Sequence, residues 1–99
     1  MSEDKHPLDL VPDLKDLNTE VLFGKVWADE RLSKRDRSIA TCAILMAMYR
    51  TEELKFHLNF AQENGLTQDE LKALITHISF YAGWPSGVNA TRVAEEVFG

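Results

Sequence analysis

The chain has 99 residues and a formal net charge of −5, and hydrophobic residues make up 44% of it. This length and composition predict one globular domain with a modest core. The acidic balance argues against nucleic-acid binding, because phosphate contacts need clustered lysine and arginine, and the basic cluster from Arg31 to Arg37 is interrupted by Asp36. No apolar run approaches the roughly 20 residues that a bilayer-spanning helix needs.

The start of the chain and its cysteine content predict a cytoplasmic protein. The opening MSEDKHPLDL has neither the basic region nor the apolar core of a secretion signal. The only cysteine, Cys42, can form neither an internal disulfide nor a paired redox motif. It lies in an apolar segment, where a small buried hydrophobe is expected rather than a reactive thiolate. Met46 and Met48, nearby on the same segment, are expected to fill the core.

The spacing of apolar residues predicts an all-α chain of about five helices. Residues 1–12 are polar, contain two prolines and are predicted to form a flexible lead-in segment, and residues 13–99 are predicted to form the domain. The second helix should begin at Ser33, and its segment 39–48 is apolar nearly all round. A helix without a polar stripe is expected in a core or an oligomer interface. The first helix carries apolar residues at helical spacing, namely Leu14, Leu17, Val21, Leu22 and Val26.

Cap and turn residues divide the second half of the chain into three more helices. Thr51 is predicted to cap the third helix, and Gly65 to end it, since glycine tolerates a left-handed backbone. Thr67 and Glu70 form a T-x-x-E capping box for a fourth helix that should run to about residue 82. Pro85 suits the first turn of a fifth helix, because its missing N–H is not needed there.

Two histidines are the main candidates for chemistry. His57 follows Glu53 by four residues, so the two side chains share a helix face, where the carboxylate can raise the basicity of the imidazole. His57 can be an acid/base or an oxyanion donor that lines a pocket, or the two residues can be a structural pair in the core. His77 precedes Tyr81 by four residues and shares a stripe with it. His77 can be a second polar group of the same pocket or an interface residue.

Arginine and tryptophan residues add candidates for substrate binding. Arg35 and Arg37 begin the second helix, where the dipole does not favour a cation, so they are expected to be solvated or to bind an anion. Trp84 is expected to be a pocket wall or a packed connector. A metal site is not predicted, because the chain has no HExxH motif and no Cys/His cluster.

These residues together resemble the carboxymuconolactone decarboxylase family. The resemblance covers residues 29–98 and is most specific in RTEELKFH, in the A-x-x-N-G-x-T turn beginning at Ala61, and in H-x-x-x-Y-A-G-W-P beginning at His77. It implies packed helices in an alkylhydroperoxidase D-like fold, assembled as trimers or hexamers. Relatives with thiol redox activity carry C-x-x-C-x-x-x-H, and the two cysteine positions correspond here to Arg50 and Glu53. A disulfide relay needs two thiols, so that activity is expected to be absent.

The namesake reaction converts 4-carboxymuconolactone to 3-oxoadipate enol-lactone in protocatechuate catabolism, and the resemblance implies no cofactor. In this interpretation His57, oriented by Glu53, is the acid/base, and His77 stabilises the enolate oxygen. Arg37 or Arg35 binds the second carboxylate, and Tyr81 and Trp84 form an apolar wall. The stretch MSEDKHPLDLVPDL replaces an Arg-rich segment of such decarboxylases. Another small lactone or keto-acid substrate, or a non-catalytic binding role, therefore stays open.

Overall fold

The structure, a computed structural model, describes residues 6–99, and residues 1–5 lie outside that description. Within residues 6–99 every regular element is helical, which confirms the all-α prediction of five α-helices and adds a π-helix. The elements are α1 (Pro12–Leu17), the π-helix (Asn18–Val26), α2 (Lys34–Ala47), α3 (Thr51–Glu63), α4 (Gln68–Ser79) and α5 (Trp84–Phe98). None of these helices has the length and apolar character needed to cross a membrane. The predicted lead-in segment falls partly on residues 1–5, and its flexibility stays a prediction.

The chain divides into two compact units, Met1–Ser33 and Lys34–Gly99. In the described part of the first unit, α1 begins with Pro12 and passes into the π-helix. The N–H of Trp27 donates to the carbonyl oxygen of Leu22, five residues back, at 2.8 Å. A wider hydrogen-bond register changes which side chains share a face, so the predicted α-helical stripe does not persist through this segment.

The second unit, residues 34–99, contains α2 to α5 and the main core. The buried apolar residues of this core come from all four helices and the α3–α4 turn, and the largest of them include Met46, Leu54, Leu58, Leu71 and Ile78. Met46 is fully buried as predicted, whereas Met48 is 53% exposed, so its predicted core role is wrong. Met48 lies past the end of α2, where the chain is already turning away.

Cys42 is a buried residue of α2, as the sequence predicts. Its Sγ donates to the backbone oxygen of His57 at 3.5 Å, and burial raises the pKa of the thiol to about 12. The thiolate that redox chemistry requires is therefore scarce at neutral pH.

The turn between α2 and α3 contains an unusual residue, Tyr49, whose φ is 57°. The Arg50 N–H donates to the oxygen of Leu45 at 3.0 Å, which closes α2 with a left-handed residue in the position that glycine usually occupies. Arg50 occupies the N-cap position of α3 and its side chain makes no cap hydrogen bond. The prediction that Thr51 caps α3 is therefore wrong, because Thr51 is already its first helical residue.

The turn between α3 and α4 follows its predicted chemistry. Gly65 has φ 103°, and its N–H donates to the oxygen of Gln62 at 3.1 Å. The capping box is complete: the Thr67 N–H donates to Glu70 Oε1 at 2.9 Å, and the Glu70 N–H donates to Thr67 Oγ1 at 3.0 Å. Local sequence rules therefore fix the start of α4 correctly.

The last two helices meet across a tight contact. α4 ends at Ser79, earlier than the predicted residue 82, and Gly83 with φ 111° precedes α5. Pro85 lies in the first turn of α5 as predicted. A Cβ atom added to Gly87 would lie 1.7 Å from Ser79 Oγ and 2.9 Å from Ser79 Cβ, so this approach of α5 to α4 requires glycine.

Candidate active site

His57 lies on α3, half-buried, beside two aromatic rings. Its ring centroid is 5.0 Å from that of Phe56, nearly perpendicular to it, and 6.1 Å from that of Phe60. Burial lowers the pKa of His57, and the charge of Glu53 one turn earlier opposes that shift. The imidazole is therefore mainly neutral at pH 7, when it acts as a base or as a neutral N–H donor. The predicted Glu53–His57 pairing on one helix face is thus present as an electrostatic interaction.

A groove between α2 and α4 holds a second set of predicted residues. Its volume is about 400 Å³, and its lining comprises Arg35, Ile39, Leu66, Glu70, Leu71, Ala73, Leu74 and His77. Glu70, Leu74 and His77 follow each other at helical spacing along one face of α4. The charged and polar side chains therefore lie at the two ends of an apolar floor.

Arg35 occupies one end of this groove and is paired there. Its Nη2 donates to Glu70 Oε2, which ties the first turn of α2 to the first turn of α4. The Cδ of Arg35 lies 4.0 Å from the point that a Cβ on Gly65 would occupy, so its stem passes close to the α3–α4 turn. Hydrogen bonds from the Thr67 N–H and from Arg35 lower the pKa of Glu70, so its carboxylate is ionised at neutral pH.

His77 occupies the other end of the groove, in the last turn of α4. Its ring centroid lies 4.8 Å from that of Tyr81, with the ring planes inclined by 34°. Tyr81 is 82% exposed, so it flanks His77 from the solvent side rather than from the core. The predicted His77–Tyr81 stripe is therefore present as a ring contact.

The remaining predicted residues lie elsewhere in the second unit. Trp84 is 68% exposed and lines a smaller notch of about 160 Å³ with Phe80 and Val88, between α4 and α5. Arg37 is half-buried on α2. The structure thus brings Arg35 and His77 into one groove with Tyr81 beside it, while His57 and Glu53 are not among the residues that line this groove. Across residues 6–99, no three His, Cys, Asp or Glu side chains converge as potential metal ligands.

Comparison with known proteins decides the family. The sequence pattern of the carboxymuconolactone decarboxylase family matches residues 12–96. The chain belongs to the carboxymuconolactone decarboxylase family. It is 42% identical over 90 residues to the 4-carboxymuconolactone decarboxylase of Acinetobacter baylyi. The matched segment covers 91% of this chain and 67% of that protein. It is also 30% identical over 82 residues to a nitrosuccinic acid decarboxylase of Metarhizium robertsii, covering 83% of this chain and 57% of that protein.

For Glu70, which lines the groove, the sequence predicted only a structural role. Glu70 was predicted as half of a capping box, and it also binds Arg35 across the groove. The signal for the cap is local, within four residues, whereas Arg35 lies 35 positions away. A single sequence contains no local pattern that pairs such distant residues.

Proposed function

We propose that this chain is a cofactor-free decarboxylase of a small carboxylated lactone, with 4-carboxymuconolactone as the candidate substrate of an aromatic (protocatechuate) catabolic route. The observation that carries the proposal is the groove between α2 and α4, with Arg35 at one end and His77 at the other. Small-molecule sites combine an apolar lining with a few placed polar groups, and this groove has that composition. The family membership and the names of both relatives support decarboxylation.

The chemistry of the candidate substrate requires groups that the groove contains. The bond between the ring carbon and the departing carboxylate breaks, and CO2 leaves. The electron pair of that bond is delocalised into a dienolate, whose negative charge lies on the lactone carbonyl oxygen. A proton then adds to carbon to give the enol-lactone. The developing oxygen charge needs a hydrogen-bond donor, the retained carboxylate needs a cation, and an apolar surface beside the leaving carboxylate favours its loss of charge.

The substrates for which the two relatives are named share a chemical logic. Nitrosuccinic acid has two carboxyl groups, and loss of the one beside the nitro group places charge on the nitro oxygens. The lactone acid likewise loses one carboxylate, keeps another and places charge on oxygen. For both acids a decarboxylase needs a cation for the retained carboxylate and a donor for the charged oxygen. Arg35 and His77 supply that pair here.

The spacing of these groups fits a small acid. Glu70, the anchor of Arg35, and His77 are seven residues apart on α4, which corresponds to about 10 Å along the helix axis. In our assignment Arg35 binds the retained carboxylate, and His77 donates to the oxygen that gains charge. Leu74, between them, supplies the apolar floor. Tyr81 keeps the His77 ring in place through their ring contact.

His57 is our candidate for the proton donor to carbon: it takes up a proton from solvent and donates it from its protonated form, which the charge of Glu53 favours. It lies on α3, outside the α2–α4 groove, beside the exposed Phe56. We propose that the chain self-associates as a trimer or hexamer and that a second copy covers exposed apolar residues such as Phe56, Ile44 and Met48. The proposed role of His57 requires that this contact bring it to a substrate-binding groove, because a proton donor must lie within reach of the carbon it protonates. A cytoplasmic location also stays a prediction, to be tested by cell fractionation.

The test is direct turnover of enzymatically generated 4-carboxymuconolactone, following its loss and the enol-lactone formed. We expect turnover by the wild-type chain, and at least a hundredfold lower kcat in His57→Gln if His57 delivers the proton. His77→Gln should lower kcat by about tenfold or more, because the glutamine amide does not reproduce the position of the imidazole N–H that stabilises the charged oxygen. Asn59→Ala, on an exposed position of α3, is the control and should keep full activity.

The outcomes separate the competing functions. Full activity in folded His57→Gln would remove His57 from the mechanism, and full activity in His77→Gln would remove the groove assignment. A folded wild-type protein without turnover would exclude the namesake reaction and direct the search to other lactones or keto acids. Binding of such an acid without any turnover would indicate a non-catalytic binding role.

A further inference from the structure

Glu70 divides its carboxylate between two partners. Its Oε1 accepts from the backbone N–H of Thr67 at 2.9 Å, and its Oε2 accepts from Arg35 Nη2. The first bond belongs to the capping box and fixes the carboxylate relative to the α4 backbone. The second bond holds the Arg35 guanidinium against this fixed carboxylate. Arg35 is thus anchored by a carboxylate that the backbone N–H of Thr67 itself holds in place.

We infer that Glu70 is a positioning residue, whose carboxylate holds the Arg35 guanidinium at the end of the groove so that its other N–H donors meet a substrate carboxylate. The inference rests on the proposed function, in which Arg35 binds the retained carboxylate of the acid. A guanidinium has five N–H donors in a planar fork, and the bond to Glu70 uses a donor on Nη2. Donors therefore remain for a second anion, as in the bidentate binding of carboxylates.

The Glu70 carboxylate has two opposing effects on substrate binding: it positions Arg35, and its negative charge repels an anionic substrate. The structure indicates that positioning is the larger effect. The negative charge of Glu70 weakens the attraction of the groove for an anion. The side chains of Arg35 and Glu70 are 41% and 43% exposed, so water and salt screen that repulsion. The loss of a fixed geometry is not screened in this way, because a long arginine side chain must then be ordered by the substrate itself. Removal of the Glu70 charge should therefore weaken binding.

The test variant is Glu70→Gln, which removes the charge and keeps the helix cap, since glutamine also serves in a capping box. We expect KM for the lactone to rise about three- to tenfold, with kcat changed by less than about twofold. The Arg35 Nε–Hε resonance should show faster motion by 15N relaxation than in the wild type. An unchanged or lower KM, or unchanged Arg35 motion, would overturn the inference.

Two neighbours provide matched controls. Asp69→Asn removes a negative charge one residue away, from a side chain that is 96% exposed and only loosely paired with Lys72 at 3.9 Å. Its KM should stay equal to that of the wild type or fall slightly, since repulsion of the anion is reduced. Thr67→Ala removes a cap bond and should lower the melting temperature, but it keeps the carboxylate and should keep KM. A KM increase of similar size in either control would contradict a specific role for Glu70.

A binding probe separates this inference from the proposed function. Adipate, a six-carbon dicarboxylate, is titrated into the wild-type protein and into Glu70→Gln while the Arg35 Nε–Hε resonance is followed. If adipate shifts this resonance and binds Glu70→Gln several-fold more weakly, Glu70 positions Arg35 even where the lactone is not turned over. Turnover by the wild type together with equal adipate affinity in both proteins would retain the decarboxylase and reject the role of Glu70.

Discussion

At the scale of single residues, His57 combines burial with a nearby carboxylate. Its pKa is lowered by burial from the ordinary value of 6.5, and Glu53 only partly opposes this. The sequence correctly placed Glu53 and His57 on one helix face, because i and i+4 positions always share a face. It did not indicate that desolvation outweighs the carboxylate, since burial of the ring depends on how α3 packs in the unit.

This shift predicts a pH-dependent stability. Because the pKa of folded His57 lies below that of the unfolded chain, the unfolded state binds its proton first as the pH falls below 6.5. The contribution of neutral His57 is therefore present above pH 6.5 and is lost as the pH falls through the folded pKa. Urea unfolding between pH 5 and 8 should show that the wild type loses more stability on acidification than His57→Gln.

Glu53→Gln provides a second arm of this experiment. Without the carboxylate the pKa of His57 should fall further, so the loss of stability on acidification should become larger than in the wild type. The two variants therefore move the pH dependence in opposite directions. Parallel pH curves for wild type and His57→Gln would show that folding does not perturb this imidazole.

At the scale of elements, local signals determined which boundaries the sequence predicted. Gly65 and the Thr67–Glu70 box were predicted correctly, because glycine conformation and capping spacing act within a few residues. The sequence contains no signal for the end of α2, because Tyr49 takes the left-handed position in which a glycine would have marked it. The π-helix was missed because side-chain periodicity does not reveal the backbone hydrogen-bond register. The groove required knowledge that α2 lies beside α4, which no local pattern contains.

The contact of α4 with α5 gives a prediction in which packing opposes helix propensity. Alanine in a helix interior is better than glycine by about 1 kcal/mol. A Cβ at Gly87 would meet Ser79 Oγ at 1.7 Å and Ser79 Cβ at 2.9 Å, and rotating the hydroxyl relieves only the first contact. Overpacking typically costs about 1–3 kcal/mol, so Gly87→Ala should lower the free energy of unfolding despite its better propensity.

A double-mutant cycle identifies the cause of that loss. Ser79→Gly removes the Cβ that Gly87→Ala would meet, so the double variant should be more stable than the sum of the two single effects. Ser79 Oγ donates to the carbonyl oxygen of Ile75 in its own helix. Removing this hydroxyl therefore breaks no hydrogen bond to another helix. A Gly87→Ala variant more stable than the wild type would show that the two helices separate without cost.

At the scale of the whole molecule, exposed apolar residues are the feature that a single chain does not explain. The sequence predicted that the segment 39–48 lies in a core or an oligomer interface, and the structure buries one side of it while Ile44 is 56% exposed. Met48, one turn further, is 53% exposed, and Phe56 on α3 is exposed as well. Ile44 and Met48 are four residues apart and lie on the same side of the chain, and exposed apolar surface of this kind is typical of interaction sites. This surface is therefore where we expect a second copy to bind.

Replacing that surface should separate the copies without unfolding them. Ile44→Ser combined with Met48→Ser removes apolar area that a monomer already exposes, so the stability of each chain should change little, whereas association should weaken strongly. Sedimentation equilibrium should give three or six times 11.3 kDa for the wild type and a mass approaching 11.3 kDa for the double variant. Phe80→Ser, at a position 77% exposed just after α4 and in neither α2 nor α3, is the control and should keep the wild-type mass. A wild-type mass of 11.3 kDa at micromolar concentration would contradict the proposed assembly, and the surroundings of His57 would then be those of the single chain.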